Sequence, residues 1–206
     1  MKNKLSDEIF EQLKNDIVFN RLHAGEKIGE IELCRRYNVS RTPARQALQR
    51  LENLGLVEIR DGVGTFVTMI AEKDVGYAYE IRCMAEKLAV GKAINRIKEA
   101  ELAEQKQRFL NIQTQLEKGG YGSSFEDMIV ADWKLHDLIM ENSGNPLLGQ
   151  TVEKVTLLLR RCQCVYISQY ERATRDHLEI IDCLMSKELG ALYAVLDRHL
   201  KFRPNE

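Results

Sequence analysis

The hydrophobic and polar positions of the first 70 residues predict helices followed by a short β-hairpin. Two runs rich in β-branched residues, 57–60 and 65–67, lie on either side of an Asp61-Gly62 pair. Asp-Gly between two such runs is a strong hairpin signal, because glycine readily adopts the positive φ angles that tight hairpin turns need. The segment 1–70 is therefore predicted to be a small domain of helices with a two-stranded β wing.

From about residue 71 the pattern is helical almost throughout. The clearest interruptions are 118–122 and 143–144, which both contain glycine. Asn145-Pro146 has the sequence of an N-cap followed by proline at the first helical position. Six helices are predicted, at 73–96, 98–117, 124–142, 146–169, 172–187 and 188–202. The chain is thus predicted to be mainly α, with an all-α six-helix bundle at 71–206.

The pattern of 40–55 predicts an amphipathic helix with an open polar face. Ser40 is placed to supply an N-cap oxygen, and Pro43 lies in the first turn, where its missing N–H costs nothing. Gly55 is placed to end the helix. At about 100° per residue, the apolar arc consists of Ala44, Ala47, Leu48, Leu51 and Leu54. The opposite arc consists of Arg41, Thr42, Arg45, Gln46 and Gln49.

The polar arc has side chains that suit the major groove of DNA. Arginine pairs bidentately with guanine and glutamine with adenine, while short hydroxyls and helix N-termini hold phosphates. Between Leu33 and Leu51 the chain has five arginines, Arg35 among them, and no acidic residue. Periodicity alone would favour a solvated surface helix, but the hairpin that follows favours a winged helix-turn-helix. Glycines at the wing tip, Gly62 and Gly64, let the backbone approach a phosphate or a minor groove.

Residues 5–68 resemble the winged helix-turn-helix of GntR-type bacterial transcription regulators. The resemblance rests on four ordered motifs: Leu22-His23-Ala24-Gly25-Glu26-Lys27-Ile28, Glu32-Leu33-Cys34, Val39-Ser40-Arg41-Thr42-Pro43-Ala44-Arg45-Gln46-Ala47-Leu48 and Gly62-Val63-Gly64-Thr65-Phe66-Val67. It implies that Arg41, Thr42, Arg45 and the wing tip near Gly64 contact an operator. Gln46 stands where many relatives have Glu, so the preferred operator sequence is not implied. The full candidate DNA-binding set is Arg35, Ser40, Arg41, Thr42, Arg45, Gln46, Gln49, Gly62 and Gly64.

Composition limits the function classes further. A net charge of −1 over 206 residues disfavours a general polyanion binder, so any nucleic-acid signal is local. No apolar stretch is long enough to span a membrane, and Met1-Lys2-Asn3-Lys4 leads into charged amphipathic sequence instead of a secretory signal. We therefore expect a cytoplasmic protein with no membrane partner. Of its five cysteines, Cys34, Cys83 and Cys183 are dispersed, and Cys162 and Cys164 lie two apart in a helical run, where they point to different faces. We expect all five to be reduced and mostly buried, with a metal role for the Cys162–Cys164 pair as the remote alternative.

Three of the four histidines fall inside predicted bundle helices. Asp132 and His136 are four residues apart and so share a helix face. His177 and His199 each continue an apolar stripe, which places their imidazoles on the side that faces the core. Three neutral imidazoles and one carboxylate suit a first-row divalent ion. The alternative for each histidine is a core or half-exposed residue that is bonded to a neighbour.

The same four residues resemble the metal site of FCD, a ligand-binding domain of the FadR-like subgroup of GntR regulators. That domain binds a metal inside an all-α bundle through an Asp-x3-His pair, a His opening the penultimate helix and a His near the end of the last helix. Asp132, His136, His177 and His199 match in order and approximate spacing. The resemblance implies a divalent metal cofactor (Zn, Ni, Mn or Fe), and the two resemblances together cover nearly the entire chain.

If the metal is octahedral, four protein ligands leave two exchangeable positions that water or a small carboxylate can occupy. Arg82 is a candidate effector-binding anchor, because a guanidinium group matches a carboxylate bidentately. A salt bridge from Arg82 to Glu86 at i+4 is an equal alternative. The expected protein is a sequence-specific transcription regulator, with a repressor preferred. It would act as a homodimer on a pseudopalindromic double-stranded DNA operator and respond to a small organic acid.

Two other functions stay open. One is a metal-dependent hydrolase or lyase with an accessory DNA-binding domain, since a metal with open positions can activate water. Against it, the chain has no HExxH motif and no glutamate obviously placed beside the histidines as a general base. The other is a DNA-binding protein whose bundle serves only dimerisation and whose histidines are structural.

Overall fold

The computed structural model of the chain describes residues 2–119, 125–164 and 170–202. These residues form two compact units. The first takes in the chain up to Val75 together with the stretch from Thr156 to Cys164. The second contains the other described residues.

The first unit is a winged helix-turn-helix. Its elements in chain order are α1 (Lys2–Val18), β1 (Lys27–Ile28), α2 (Glu30–Arg36), α3 (Arg41–Asn53), β2 (Val57–Arg60) and β3 (Gly64–Val67). The strands form an antiparallel sheet in the order β1-β3-β2. The predicted two-stranded wing is therefore extended by β1, a strand whose two residues are too few to show an alternating pattern.

Helix α3 has the two faces that its sequence predicts. Four of the five apolar residues are buried against the rest of the unit and Leu54 is half-buried, while the whole polar arc is exposed. The helix packs mainly along α1, with further contacts to α2 and β2. Gly55 follows the helix with φ +73°, as a left-handed helix terminus requires. Ser40 is the N-cap residue, but its side chain makes no capping hydrogen bond, so that part of the prediction was wrong.

The tip of the wing depends on its glycines. Gly62 has φ +71° and Gly64 has φ +138°, values that other residues adopt only with strain. A Cβ atom on Gly64 would also lie 2.7 Å from Cε of Lys27, which is too close. Arg60 pairs with Gly64 across the strands, so the turn between β2 and β3 has only three residues.

The second unit is built from the six predicted helices. They are α4 (Glu72–Ala93), α5 (Glu99–Glu117), α6 (Phe125–Glu141), α7 (Pro146–Gln163), α8 (Tyr170–Ser186) and α9 (Leu189–His199). The first residues of α4 and the last of α7 are grouped with the first unit. Helix α7 ends before the predicted position, and 165–169 lie outside the described residues. In the predicted break at 118–122, Gly119 has φ +75°, and 120–122 are likewise outside them.

The core of this unit is formed by apolar side chains from α4, α5, α6, α8 and α9. Helix α8 packs along α5 and α9, and fully buried apolar side chains lie at the centre of the core. The largest include Phe109, Leu135, Ile139, Ile180 and Ile181.

All five cysteines are free thiols; only Cys162 and Cys183 are buried, fewer than expected. No helix in the described ranges combines the length and the apolar composition that crossing a lipid bilayer requires.

Candidate metal centre and nucleic-acid interface

The candidate DNA-binding residues all keep access to solvent. The side chains of Arg41 and Arg45 are 67% and 62% exposed. Arg35 is exposed on α2, and at the wing tip Gly62 is exposed and Gly64 is half-buried. Ser40, Thr42, Gln46 and Gln49 are exposed on α3. The first unit therefore presents arginine, glutamine and hydroxyl groups on a helix face that no other part of the described chain covers.

A carboxylate that the sequence analysis did not consider lies beside this face. Glu30 is the first residue of α2, and its Oε2 accepts a 2.8 Å hydrogen bond from Nε of Arg45. Its Oε1 lies 3.8 Å from Nε of Arg41, which is beyond hydrogen-bond distance. The hydrogen bond to Glu30 raises the pKa of Arg45. The absence of acidic residues between Leu33 and Leu51 thus did not mean an absence of acidic neighbours.

Not every arginine in this region belongs to the polar face. Arg50 forms a 2.6 Å ion pair with Asp7 of α1. Its guanidinium group also lies 3.9 Å from the ring centroid of Phe10, a cation–π contact. Arg50 therefore ties α3 to α1, whereas Arg41 and Arg45 extend from the helix toward solvent.

In the second unit, the four predicted metal ligands meet at one point. Asp132 and His136 come from α6, His177 from α8 and His199 from the last turn of α9. One ligand atom from each residue can be chosen so that all four lie within 4.8 Å of one another. Nε2 of His136 lies 3.3 Å from Nε2 of both His177 and His199. Oδ2 of Asp132 lies 3.0 Å from Nε2 of His177.

Two further carboxylates face the outer nitrogens of these imidazoles. Nδ1 of His136 lies 2.6 Å from Oε2 of Glu86 on α4. Nδ1 of His199 faces Oδ2 of Asp176 at 3.6 Å, a distance too long for a hydrogen bond. Since an ionised carboxylate only accepts hydrogen bonds, Nδ1 of His136 carries a proton, and in the neutral ring Nε2 is the nitrogen that presents a lone pair to the centre.

Burial and the neighbouring charges set the protonation of the cluster. Burial and, to a smaller extent, the nearby imidazole of His177 lower the pKa of His199 to about 4. Burial also lowers the pKa of His177. For Asp132, burial opposes ionisation, but the adjacent imidazoles and Arg82 outweigh it and hold its pKa well below the usual value. Neutral imidazoles at His177 and His199 and an ionised carboxylate at Asp132 are therefore favoured, which is the state in which these groups bind metals.

Arg82 makes the salt bridge that was one of its two predicted roles. Its Nε donates a 2.6 Å hydrogen bond to Oε1 of Glu86. Burial works against ionisation of Glu86, yet His136 and Arg82 lower the pKa of this carboxyl to about 2. Nη2 of Arg82 lies 3.8 Å from Oδ1 of Asp132, and among the described residues neither terminal nitrogen of Arg82 makes a hydrogen bond.

Sequence reasoning missed Glu86 and Asp176 as partners of the imidazoles. It found no glutamate placed beside the histidines, but Glu86 lies 50 positions from His136 along the chain and only 2.6 Å from it in space. The signal was present in the Arg82–Glu86 spacing, which showed that Glu86 shares a helix face with Arg82. Glu86 lies on the Nδ1 side of His136, so it orients this ring and is not placed at the ligand side.

Two family models match almost the whole chain. Residues 5–67 match bacterial regulatory proteins of the gntR family, and residues 77–202 match the FCD domain. The chain belongs to the GntR family, with an FCD domain. The boundaries of both matches agree with the elements described above.

Relatives of this GntR-family protein are transcription regulators. It is 30% identical to the HTH-type transcriptional regulator YdhC of Bacillus subtilis (strain 168), over 89% of this chain and 82% of the relative. It is 26% identical to the HTH-type transcriptional repressor RspR of Escherichia coli (strain K12), over 96% and 86%. The family and these relatives are regulators and not enzymes, so the chain is a DNA-binding transcription regulator.

Solved structures show the same fold. E. coli McbR/YncC superposes with a TM-score of 0.79 at 19% identity, covering 95% of this chain and 93% of that one. The metal-free FCD domain of the regulator TM0439 superposes with a TM-score of 0.53 at 26% identity, covering 65% of this chain and 90% of that domain. The second match is to an FCD domain alone, and its share of this chain is close to the length of the second unit.

Proposed function

We propose that this GntR-family protein is a metal-containing repressor whose operator binding responds to a small carboxylate. The observation that carries the proposal is the convergence of Asp132, His136, His177 and His199 within 4.8 Å. Lone pairs on imidazole nitrogens 3.3 Å apart repel one another unless a proton or a cation lies between them. Because burial favours the neutral form of His177 and His199, a cation is a better match than a proton.

Three of the donor-atom distances also fit a first-row metal. With metal–nitrogen bonds of about 2.1 Å, ligands at right angles are about 3.0 Å apart and tetrahedral ligands about 3.4 Å. The contacts of 3.0 and 3.3 Å in the cluster match that range. Zn, Ni, Mn and Fe all accept three imidazoles and a carboxylate, so the donor set does not choose among them. When bound, the metal would supply a Lewis-acid site for an anionic ligand.

Arg82 is placed to hold the other end of such a ligand. Its side chain is 12% exposed, and its Nε is already occupied by Glu86. The two terminal amino groups are left to form a fork that a carboxylate can accept bidentately. The salt bridge to Glu86 and the role as an effector anchor are therefore compatible, since they use different N–H groups.

The homodimer in this proposal is supported by an apolar stripe on α4. Four exposed residues follow helical spacing along one face, with exposed fractions from 41% to 68%: Tyr77, Ile81, Met84 and Leu88. Exposed apolar rows of this length usually mark an interaction surface. The positions of these four residues along the helix are symmetric about the point midway between Arg82 and Cys83. Antiparallel pairing of two identical helices about a two-fold axis requires this symmetry.

Pairing two α4 helices about that midpoint would place Tyr77 against Leu88 and Ile81 against Met84. The helix ends are also complementary, because the first turn is acidic and Lys92 lies in the last turn. We expect Leu88→Glu to convert a dimer into a monomer, since each copy would bury an added charge. Leu110→Glu is the matched control, as Leu110 is 38% exposed on α5. Analytical ultracentrifugation measures both, and a dimeric Leu88→Glu protein would exclude this face.

Helix α7 offers a route from the bundle to the wing. Its final residues belong to the first unit, where Arg161 donates 2.8 Å hydrogen bonds from Nη1 to Oγ1 of Thr68 and from Nη2 to the Thr68 carbonyl. Arg161 is only 6% exposed, and burial lowers its pKa. Thr68 directly follows β3, so a shift of α7 would act on the wing. In this proposal, effector binding changes how two recognition helices fit successive major grooves of a pseudopalindromic operator.

A titration tests the proposal as a whole. An operator duplex is first selected by the wild-type protein from a random pool, and its affinity is then measured with metal-free protein, with Zn²⁺-loaded protein, and with the loaded protein plus citrate or other di- and tricarboxylates. We expect the affinity to fall at least about five-fold when a carboxylate binds. Native mass spectrometry of the same samples reports subunit count and metal content. Carboxylate binding without any change in operator affinity would overturn the regulatory mechanism.

The direction of regulation is proposed from the relatives. RspR of E. coli carries the name of a repressor, and so does a D-xylose utilization operon regulator of Paenarthrobacter nicotinovorans, which is 26% identical over 97% of this chain. Since its target is chromosomal DNA, we place the protein in the cytoplasm. Deletion of the gene should raise transcription from the promoter that contains the selected operator, as measured with a reporter; a fall would identify an activator instead.

A further inference from the structure

The contact between Glu30 and Arg45 restricts how Arg45 can meet a base. Glu30 is held at the N-terminus of α2, where the helix dipole favours a carboxylate. Its Oε2 accepts a 2.8 Å hydrogen bond from Nε–H of Arg45, and the Glu30 side chain is only 27% exposed. No other hydrogen bond to Arg45 occurs in the described part of the chain. The terminal amino groups of Arg45 therefore stay open toward solvent.

An arginine can form two hydrogen bonds to guanine, either from its two terminal nitrogens or from Nε and one terminal nitrogen. With Nε held by Glu30, only the first arrangement is left for O6 and N7 of guanine. A flexible arginine also loses side-chain entropy when DNA fixes it, and an arginine that is already held loses less. Glu30 thus prepares Arg45 for one geometry of base contact.

The negative charge of Glu30 lowers the affinity for DNA of any sequence. A carboxylate on the DNA-facing side repels phosphates and partly neutralises the arginine beside it. A residue that served affinity alone would not be acidic at this position. We propose that Glu30 is a specificity-determining positioning residue, which orients Arg45 for guanine and lowers non-specific binding. The proposal rests on the DNA-binding face proposed above.

Glu30→Ala and Glu30→Gln test this with the full-length protein. The readout is the ratio of affinities for the selected operator and for a shuffled duplex of equal length, at two salt concentrations. Glu30→Ala should lower this ratio about ten-fold, because operator binding weakens while non-specific binding strengthens or stays constant. Glu30→Gln should restore part of the ratio, since an amide oxygen can still accept the Nε–H bond.

Two controls separate positioning from charge. Glu58 is an exposed wing carboxylate that pairs with Arg60 at 2.8 Å, so Glu58→Gln removes the same charge without touching Arg45. In an Arg45→Ala background, Glu30→Ala should no longer change the ratio if it acts through Arg45. Thermal melts of each variant establish that it is folded.

The outcomes distinguish this inference from the proposed DNA-binding face. If Arg45→Ala keeps its preference for the operator, the face itself is wrong. If Arg45→Ala loses that preference but Glu30→Ala keeps the wild-type ratio, only the positioning role is overturned. Equal strengthening of operator and shuffled-duplex binding by Glu30→Ala would likewise overturn it, because the carboxylate would then be a competitor of DNA and not a positioning group.

Discussion

The two charged clusters of this protein differ in how their charges are satisfied. On α3, Arg41 and Arg45 are more than half exposed and both lie near a single carboxylate, Glu30. In the bundle, Asp132 and His177 are buried and lie 3.0 Å apart. In the first cluster, N–H groups of the arginines remain open to solvent. In the second cluster, the buried imidazoles and carboxylates contact one another.

The difference indicates what each cluster can bind. Exposed arginines cost little to keep unpaired, because water solvates them until a polyanion replaces the water. Buried imidazoles and carboxylates are not solvated by water, so they must be paired with each other or with a metal ion. A large ligand from solution suits the first cluster and a small cation suits the second.

The largest effect should come from removing a central imidazole. His177→Ala is expected to reduce bound metal from about one per chain to near zero, because the site loses one of four ligands. Operator binding by the metal-free variant should persist, since the polar face of α3 belongs to the first unit. Inductively coupled plasma mass spectrometry measures the metal. His23→Ala is the control, with a side chain that is 70% exposed outside the site; an equal loss there would contradict the assignment.

The next effect concerns the reading face. Arg45→Ala should weaken operator binding about ten- to a hundred-fold and abolish base preference at one position of each half-site. Metal content should not change. Fluorescence anisotropy with the selected duplex measures the affinity. Arg108→Ala removes an arginine that pairs with Glu104 within α5 and should have no effect on DNA; a similar weakening by both variants would show that only total charge matters.

A smaller effect should follow from changing a partner of a ligand. Glu86→Gln keeps the volume but removes the carboxylate that orients His136 through Nδ1. Metal affinity should fall about ten- to a hundred-fold, as measured by competition with a chelating dye. Glu104→Gln on α5 is the matched control. If Glu86→Gln binds metal with wild-type affinity, the orientation of His136 does not depend on this contact.

The smallest effect concerns pH. Because burial lowers the pKa of His199 to about 4, the unfolded chain binds a proton near pH 6.5 that the folded metal-free protein does not. Stability of metal-free protein should therefore fall as the pH drops from 6.5 to 4, by on the order of 5 °C in Tm. His199→Gln should flatten this slope and exposed His23→Gln should not. Differential scanning calorimetry in EDTA measures both, and parallel curves for wild type and His199→Gln would refute the effect.

Much of the fold could be read from local patterns. Helical periodicity placed Ala44 and Leu48 inside and Arg41 outside, and Asp61-Gly62 marked the hairpin turn. The four predicted ligands also meet, because i, i+4 spacing and apolar stripes state which side of each helix faces the core. Strand β1 was not predicted from the sequence, because Lys27–Ile28 is a strand only through its pairing with β3.

Local sequence specifies the elements and the face that each turns inward, because these depend on residues a few positions apart. The contacts of Glu30 with Arg45, of Glu86 with His136 and of Asp176 with His199 could be found only once the helices were packed together. These pairs depend on the angle and register at which helices pack, and the contacts that set them are spread over the whole core. The partners that tune both sites therefore emerged only when the helices were placed together.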